Sequence, residues 1–199
     1  VTPPADPPAA PPAEPPPESG AGPTPPAAEE PLTFWSFVDA AVTRTARQLP
    51  GTDTDATRLV LTLYRVTNMV VYDLESSVHR PRGWSWPGFR LLFVLWLAGP
   101  LEAGRAAELS GMSRQAVSAL TNTLERQGLV SRAPSARDGR SVRLSLTDTG
   151  QRAIADAFAA HNERERLWAA SLSAEEQATL VRLLGKLGSA AQHSEIRRR

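Results

Sequence analysis

Arg114, Gln115, Ser118 and Asn122 follow one another at intervals of one, three and four residues, which gathers them on one flank of an α-helix. Together they suit one kind of chemistry: hydrogen bonding to the exposed edges of base pairs, arginine onto guanine and glutamine or asparagine onto adenine. Ala119 shares the flank, and no carboxylate follows until Glu125, so the N-terminal half of the helix is the part expected to meet a major groove. Ser113, just ahead, joins the base-reading candidates and also suits a helix N-cap. A basic flank standing alone is most often merely solvated, so its neighbours decide its meaning.

Those neighbours spell a helix-turn-helix. Val117, Leu120 and Leu124 supply the inward stripe of the same helix. Ala107 and Gly111 precede it at the spacing of a close helix contact and a left-handed turn. After Gly128 the apolar period changes to two. Leu129, Val130 and Ser131 enter one strand, and Val142, Leu144 and Leu146 alternate on another, with a polar hairpin tip over residues 134–140. Arg132, Arg137 and Arg140 on this hairpin are read as wing and phosphate contacts, with Arg143 beside them. Residues 110–146 hold six arginines against Glu125 and Asp138, a local charge of +4.

Helices must position this unit. Thr33 suits an N-cap for a helix through Leu49, ended by Pro50-Gly51; Asp53 and Asp55 open a longer one carrying Leu59, Val60, Leu63, Val66, Val70, Val71, Leu74 and Val78. Ser85-Trp86-Pro87 starts a helix whose residues 89–98 are apolar nearly all round, which predicts a buried central helix. A short helix over 104–109 precedes the turn. Residues 147–150 lead into a long helix through Trp168, and Ser173 with Glu176 forms a capping box for the last, whose apolar face is Leu180, Leu183, Leu184 and Leu187. The fold class expected is mainly α with a small β-hairpin wing: a winged helix-turn-helix over 86–147, with dimerisation helices over 32–80 and 148–192. The flanking helices carry more apolar surface than their place in the chain can bury. A twofold homodimer is the economical solution, and a closed monomeric core is the alternative.

Composition narrows the function classes. The 199 residues carry a formal charge of +1, but residues 1–31 hold 13 of the 18 prolines and a charge of −5, leaving +6 on residues 32–199. The proline-rich stretch has too few large apolar side chains to bury, and is read as a disordered acidic tail. No cysteine is present, which excludes disulfides, thiolate metal sites and Fe–S clusters. The longest apolar run, residues 91–98, is too short for a bilayer, and no leader pattern opens the sequence, so a cytoplasmic protein with no membrane role is expected. No nucleophile elbow, phosphate-cradling loop or paired catalytic carboxylates occur. An enzyme, a cofactor and a resident metal are therefore not expected.

Residues 105–130 (RAAELSGMSRQAVSALTNTLERQGLV) and 135–149 (SARDGRSVRLSLTDT) followed by Gly150 resemble the MarR family of transcriptional regulators, and the resemblance covers about residues 55–190. It implies a homodimer of winged helices that binds double-stranded DNA at a pseudo-palindromic operator, most often as a repressor, and is released by a small-molecule or redox signal. The absent cysteines remove the thiol-oxidation form of that signal. The family wing often reads Asp-Arg-Arg; here Asp138-Gly139-Arg140 puts glycine at the position that reaches the minor groove, with Arg137 or Arg140 as substitutes. Some relatives with an added N-terminal helix sense urate through a tryptophan there and an aspartate on the central helix. Trp35 is present, but Phe89-Arg90 replaces the Trp-Asp pair, so urate sensing is rejected. The alternative function is a winged helix that docks a protein partner.

A small-molecule effector would sit between the dimer helices and the winged part. Tyr64, His79, Trp84, Trp86 and Arg90 are the candidates there, an arginine among aromatics suiting an anionic aromatic ligand. The plainer reading makes the tryptophans core or loop residues and pairs Arg90 internally. His161 and Glu165, at i, i+4, are read as a solvated surface pair rather than metal ligands.

Overall fold

The computed structural model of the chain describes residues 31–34, 36–134 and 142–193, which fall into two compact units divided between Thr52 and Asp53. Trp35, Arg137, Asp138, Gly139, Arg140 and the first 30 residues lie outside the described residues.

Among the described residues of the first unit there is one helix, α1 (Phe37–Gln48). It begins later than the Thr33 signal predicts. The Ser36 N–H donates to Thr33 Oγ1 at 3.1 Å and the Thr33 N–H to Ser36 Oγ at 3.0 Å, so this hydroxyl pair closes a turn ahead of the helix.

The second unit opens with α2 (Thr54–Leu74), capped by Asp53, whose carboxylate accepts from the Ala56 N–H at 2.9 Å. The expected continuation to Val78 is instead a π turn, Glu75–His79, and then a 3₁₀ turn, Arg80–Arg82, closed at Gly83. Ser85 caps α3 (Trp86–Ala98), accepting from the Gly88 N–H at 3.2 Å. A two-residue strand, β1 (Leu101–Glu102), precedes α4 (Ala103–Ser110) and α5 (Arg114–Arg126). The hairpin β2 (Val130–Pro134) and β3 (Val142–Leu146) leads to α6 (Asp148–Ala169) and α7 (Ala174–His193). Ser173 and Glu176 form the expected capping box: the Ser173 N–H reaches Glu176 Oε2 at 2.8 Å and the Glu176 N–H reaches Ser173 Oγ at 3.3 Å.

The core lies under the helix-turn-helix. Leu91 and Leu92 of α3 are fully buried among Ala106, Val117, Leu124, Leu144 and Ile154, drawn from four further elements. α3 is not buried all round, however. Its last turn leaves Leu97 66% exposed and Trp96 partly exposed. The three strands run in the order β1-β3-β2, all antiparallel, with Leu101 opposite Leu144 and Arg132 also opposite Leu144 on the other side. β1 has no two-residue alternation long enough to announce itself in sequence; it exists because β3 offers it an edge.

Two close approaches fix the wing root. The Thr147 hydroxyl donates to the Gly128 carbonyl at 2.6 Å, and the Thr147 N–H to the Leu129 carbonyl at 3.0 Å. Gly150 then sits so near β2 that a Cβ there would lie 2.0 Å from the Leu129 carbonyl oxygen. No helix among the described residues is long and apolar enough to cross a membrane.

Candidate nucleic-acid interface

Local chemistry sets the turn between α4 and α5. The Gly111 N–H bonds the Glu108 carbonyl at 3.1 Å and the Met112 N–H bonds Ala107 at 3.0 Å, a Schellman closure with Gly111 at φ +64°. A side chain there would be strained, which explains the glycine. The Arg90 guanidinium on α3 also donates to the Ser110 carbonyl, tying the turn to the central helix. α5 then starts at once, because Ser113 Oγ accepts from the Ala116 N–H at 3.1 Å. Ser113 is therefore engaged as the cap of the helix it was expected to help read with.

On α5, Val117, Thr121 and Leu124 are buried, and Leu120 is half-buried against the core. Thr121 escapes an apolar-periodicity search because it is polar; its hydroxyl is satisfied by the Val117 carbonyl at 2.7 Å. Arg114, Gln115, Ser118, Ala119 and Asn122 are exposed on the other side, as their spacing predicts.

The hairpin arginines part company. Arg143 is exposed and pairs in register with Glu102 on β1, while Arg137 and Arg140 lie outside the described residues. Arg132 turns the opposite way, onto α5. Its Nε lies 3.3 Å from Glu125 Oε2, and its Nη2 donates to the Ser118 carbonyl at 3.4 Å and to Asn122 Oδ1. Arg126 grips the same turn from its own helix, donating to the Asn122 carbonyl at 3.3 Å.

The five effector-pocket candidates do not converge. Tyr64 is 64% exposed on α2, and Trp84 belongs to the buried core. Arg90 lines a groove of about 430 Å³ between α3 and α4 with Phe93, Val94, Leu97, Leu109 and Ser110. His79 and Trp86 do come together, as rings 5.5 Å apart, but His79 is fully buried. It stacks on Phe89 at 4.2 Å and meets His161 Nδ1 through Nε2 at 3.2 Å.

His161 corrects the surface reading of the His161–Glu165 pair. The imidazole is buried, with Nε2 3.1 Å from Glu165 Oε1. A carboxylate only accepts, so His161 carries its proton on Nε2 and presents a lone pair at Nδ1; His79 then donates from Nε2. Its Nδ1 is left without a hydrogen-bond partner among the described residues. Burial, reinforced by the nearby His161 and Arg82, pushes the His79 pKa down to about 4. Burial also lowers that of His161, against the opposing pull of Glu165. A long-range histidine pair leaves no trace in local periodicity, which is why sequence spacing missed it. Among the described residues no group of three His, Cys, Asp or Glu side chains could hold a metal ion.

Comparison with known proteins agrees with this architecture. Residues 85–141 match the model of the MarR family. The chain is 32% identical over 143 residues to the HTH-type transcriptional regulator YwaE of Bacillus subtilis, covering 71% of this chain and 84% of that protein. It is 30% identical over 127 residues to the HTH-type transcriptional repressor Mb2911 of Mycobacterium bovis, covering 64% and 91%. The fold superimposes on a mutant MarR from E. coli complexed with operator DNA, with TM-score 0.58 and 22% identity over 64% of this chain and 94% of that one. With a helix-turn-helix, a three-stranded wing and these relatives, the chain belongs to the MarR family of transcriptional regulators, and it is not an enzyme.

Proposed function

We propose that this regulator is a cytoplasmic repressor that binds double-stranded DNA sequence-specifically, as a homodimer on a pseudo-palindromic operator. The observation that carries this reading is the exposed flank of α5, where Arg114, Gln115 and Ser118 project from the first two turns with no carboxylate among them. Such a flank offers donors and acceptors to base edges while the arginine-bearing hairpin beside it attracts phosphate. The operator-bound neighbour and the relative named as a repressor support the same reading.

Dimerisation is supported by apolar surface that the single chain leaves open. Leu59, Val60 and Val66 of α2 and Leu180, Val181, Leu183, Leu184 and Leu187 of α7 are all more than a third exposed. A helix such as α7 gains little by folding against water alone, so a second subunit interlocked through residues 32–80 and 148–192 accounts for it. The two α5 helices would then face half-sites about 10 bp apart. Release by a small anionic aromatic ligand is the effector reading. It is supported by the α3–α4 groove, where Arg90 offers charge beside Phe93 and Leu97.

Selection of duplexes from a random library tests the function. Enrichment of a pseudo-palindrome bound about 10³-fold or more over random DNA is expected. Absence of any enriched site would instead favour a winged helix that docks a protein partner. A panel of anionic aromatics, read by thermal shift and by release from the selected duplex, tests the effector.

A further inference from the structure

Arg132 occupies the wrong face of the hairpin for a residue that serves phosphate. Strand side chains alternate, so Arg132 shares a face with Val130, which is buried, and stands opposite Leu144, which is buried too. That face looks onto α5. The arginine continues the core side of the sheet past the last apolar position, and its side chain is only 30% exposed.

Its three contacts fall on one stripe of the helix. Ser118, Asn122 and Glu125 are spaced i, i+4 and i+7, so a single guanidinium touches successive turns along the side of α5 that borders the reading flank. Nε serves Glu125 while Nη2 serves the Ser118 carbonyl and the Asn122 carboxamide. Only a forked head with a donor on its stem can do both; a lysine ammonium presents one point charge and no Nε. The contact to Asn122 also turns its carboxamide oxygen toward the strand.

We propose that Arg132 is a positioning residue for base reading: it clamps α5 to β2, sets the roll of the helix about its axis, and holds Asn122 as part of the clamp rather than as a reader of adenine. This rests on the DNA-reading assignment above and changes it in two respects. Arg132 leaves the set of phosphate contacts, and the reading flank contracts to the turns carrying Arg114, Gln115 and Ser118. Glu125, the acidic residue on a helix otherwise suited to DNA, acquires a role as the anion that holds the clamp shut.

The test uses the full chain and a duplex selected by the wild-type protein, with a randomised duplex as reference. Affinities for both are measured across a salt series for wild type, Arg132→Lys, Arg132→Ala, Glu125→Gln and Asn122→Ala, with thermal unfolding as a control. Loss of a clamp lets the helix roll, so discrimination should fall roughly tenfold in Arg132→Lys and Arg132→Ala alike. The fall should spread over every position of the half-site, with the salt slope on random DNA unchanged. Glu125→Gln, an exposed and conservative change, should move discrimination the same way, and combining it with Arg132→Lys should add little. Wild-type discrimination in Arg132→Lys overturns the proposal. So does an equal loss on both duplexes in Arg132→Ala with the salt slope reduced by about one, the signature of a phosphate contact. Relaxed preference at a single adenine in Asn122→Ala would restore Asn122 as a reader and overturn the clamp. If wild type itself selects no duplex, the DNA-reading assignment falls first and takes the clamp with it. If wild type selects and Arg132→Lys is unaffected, the clamp alone fails.

Discussion

His79 Nε2 and His161 Nδ1 lie 3.2 Å apart although 82 positions separate them in the chain, and together they join the π turn after α2 to α6. Both imidazoles are neutral, and any further proton on the pair leaves a buried N–H or a buried charge without a partner.

Acid should therefore loosen this junction. With His79 held near 4 by burial, the unfolded chain binds more protons than the folded one between about pH 4 and 6.5. Stability is full above that window and declines as pH falls through it, by on the order of 3 kcal/mol at its foot. Urea unfolding of wild type between about pH 7.5 and 4.5 should show the decline. His79→Phe, which keeps an aromatic ring among Trp86 and Phe89, should flatten it. Parallel slopes in the two proteins would remove His79 from the account.

A second link between the same helices is electrostatic. Asp73 on α2 accepts from Arg164 Nε at 3.1 Å, from Trp168 Nε1 at 2.9 Å and from Ser77 Oγ at 3.2 Å. The Arg164 hydrogen bonds, more than any other contact, hold its carboxyl below the usual carboxylate range. Its contribution is present above the ordinary carboxylate value and is lost as pH falls through the lowered one, a more acidic window than that of His79. Asp73→Asn should lower the thermal midpoint by about 2–6 °C, because Arg164 keeps its charge without its counter-ion. An unchanged midpoint would show that this cluster is dispensable.

Gly150→Ala should be among the costliest single changes. The new methyl would meet the Leu129 backbone oxygen, which cannot rotate away, so α6 or the wing root must shift. A loss of about 2 kcal/mol or more in denaturant unfolding is expected, with weaker DNA binding as the hairpin moves. A neutral substitution would mean that this approach relaxes freely.

Base readers and phosphate contacts should separate by their patterns. Arg114→Ala and Gln115→Ala should each relax preference at particular base pairs, costing about 1–3 kcal/mol there. Arg137→Ala should weaken binding to all duplexes alike and reduce the salt slope by about one. Identical behaviour of the two classes would contradict the assignment.

Charge placed on α7 should break the dimer. Leu184→Asp puts a carboxylate on the exposed apolar face that a second subunit is proposed to cover. Sedimentation should show the wild type as a dimer and the variant shifted toward monomer, with cooperative binding to the full palindrome lost. A wild-type monomer would return these helices to an open surface.

Local chemistry was legible before the fold. The caps at Ser113 and Ser173, the helix starts marked by Asp53, Ser85 and Thr147, the glycine of the α4–α5 turn, and the split of α5 into Val117, Leu124 and an exposed polar flank were all encoded by spacing within a few residues. Tertiary structure decided what depends on distant partners. It placed Arg132 on the inward face of the hairpin, because a cross-strand neighbour and a helix stripe, not the arginine's own type, determine where it reaches. It turned His161 from a surface residue into half of a buried pair, and it made β1 a strand by giving it the edge of β3. An arginine or a histidine takes its role from what surrounds it, and for these residues the surroundings come from parts of the chain far away in sequence.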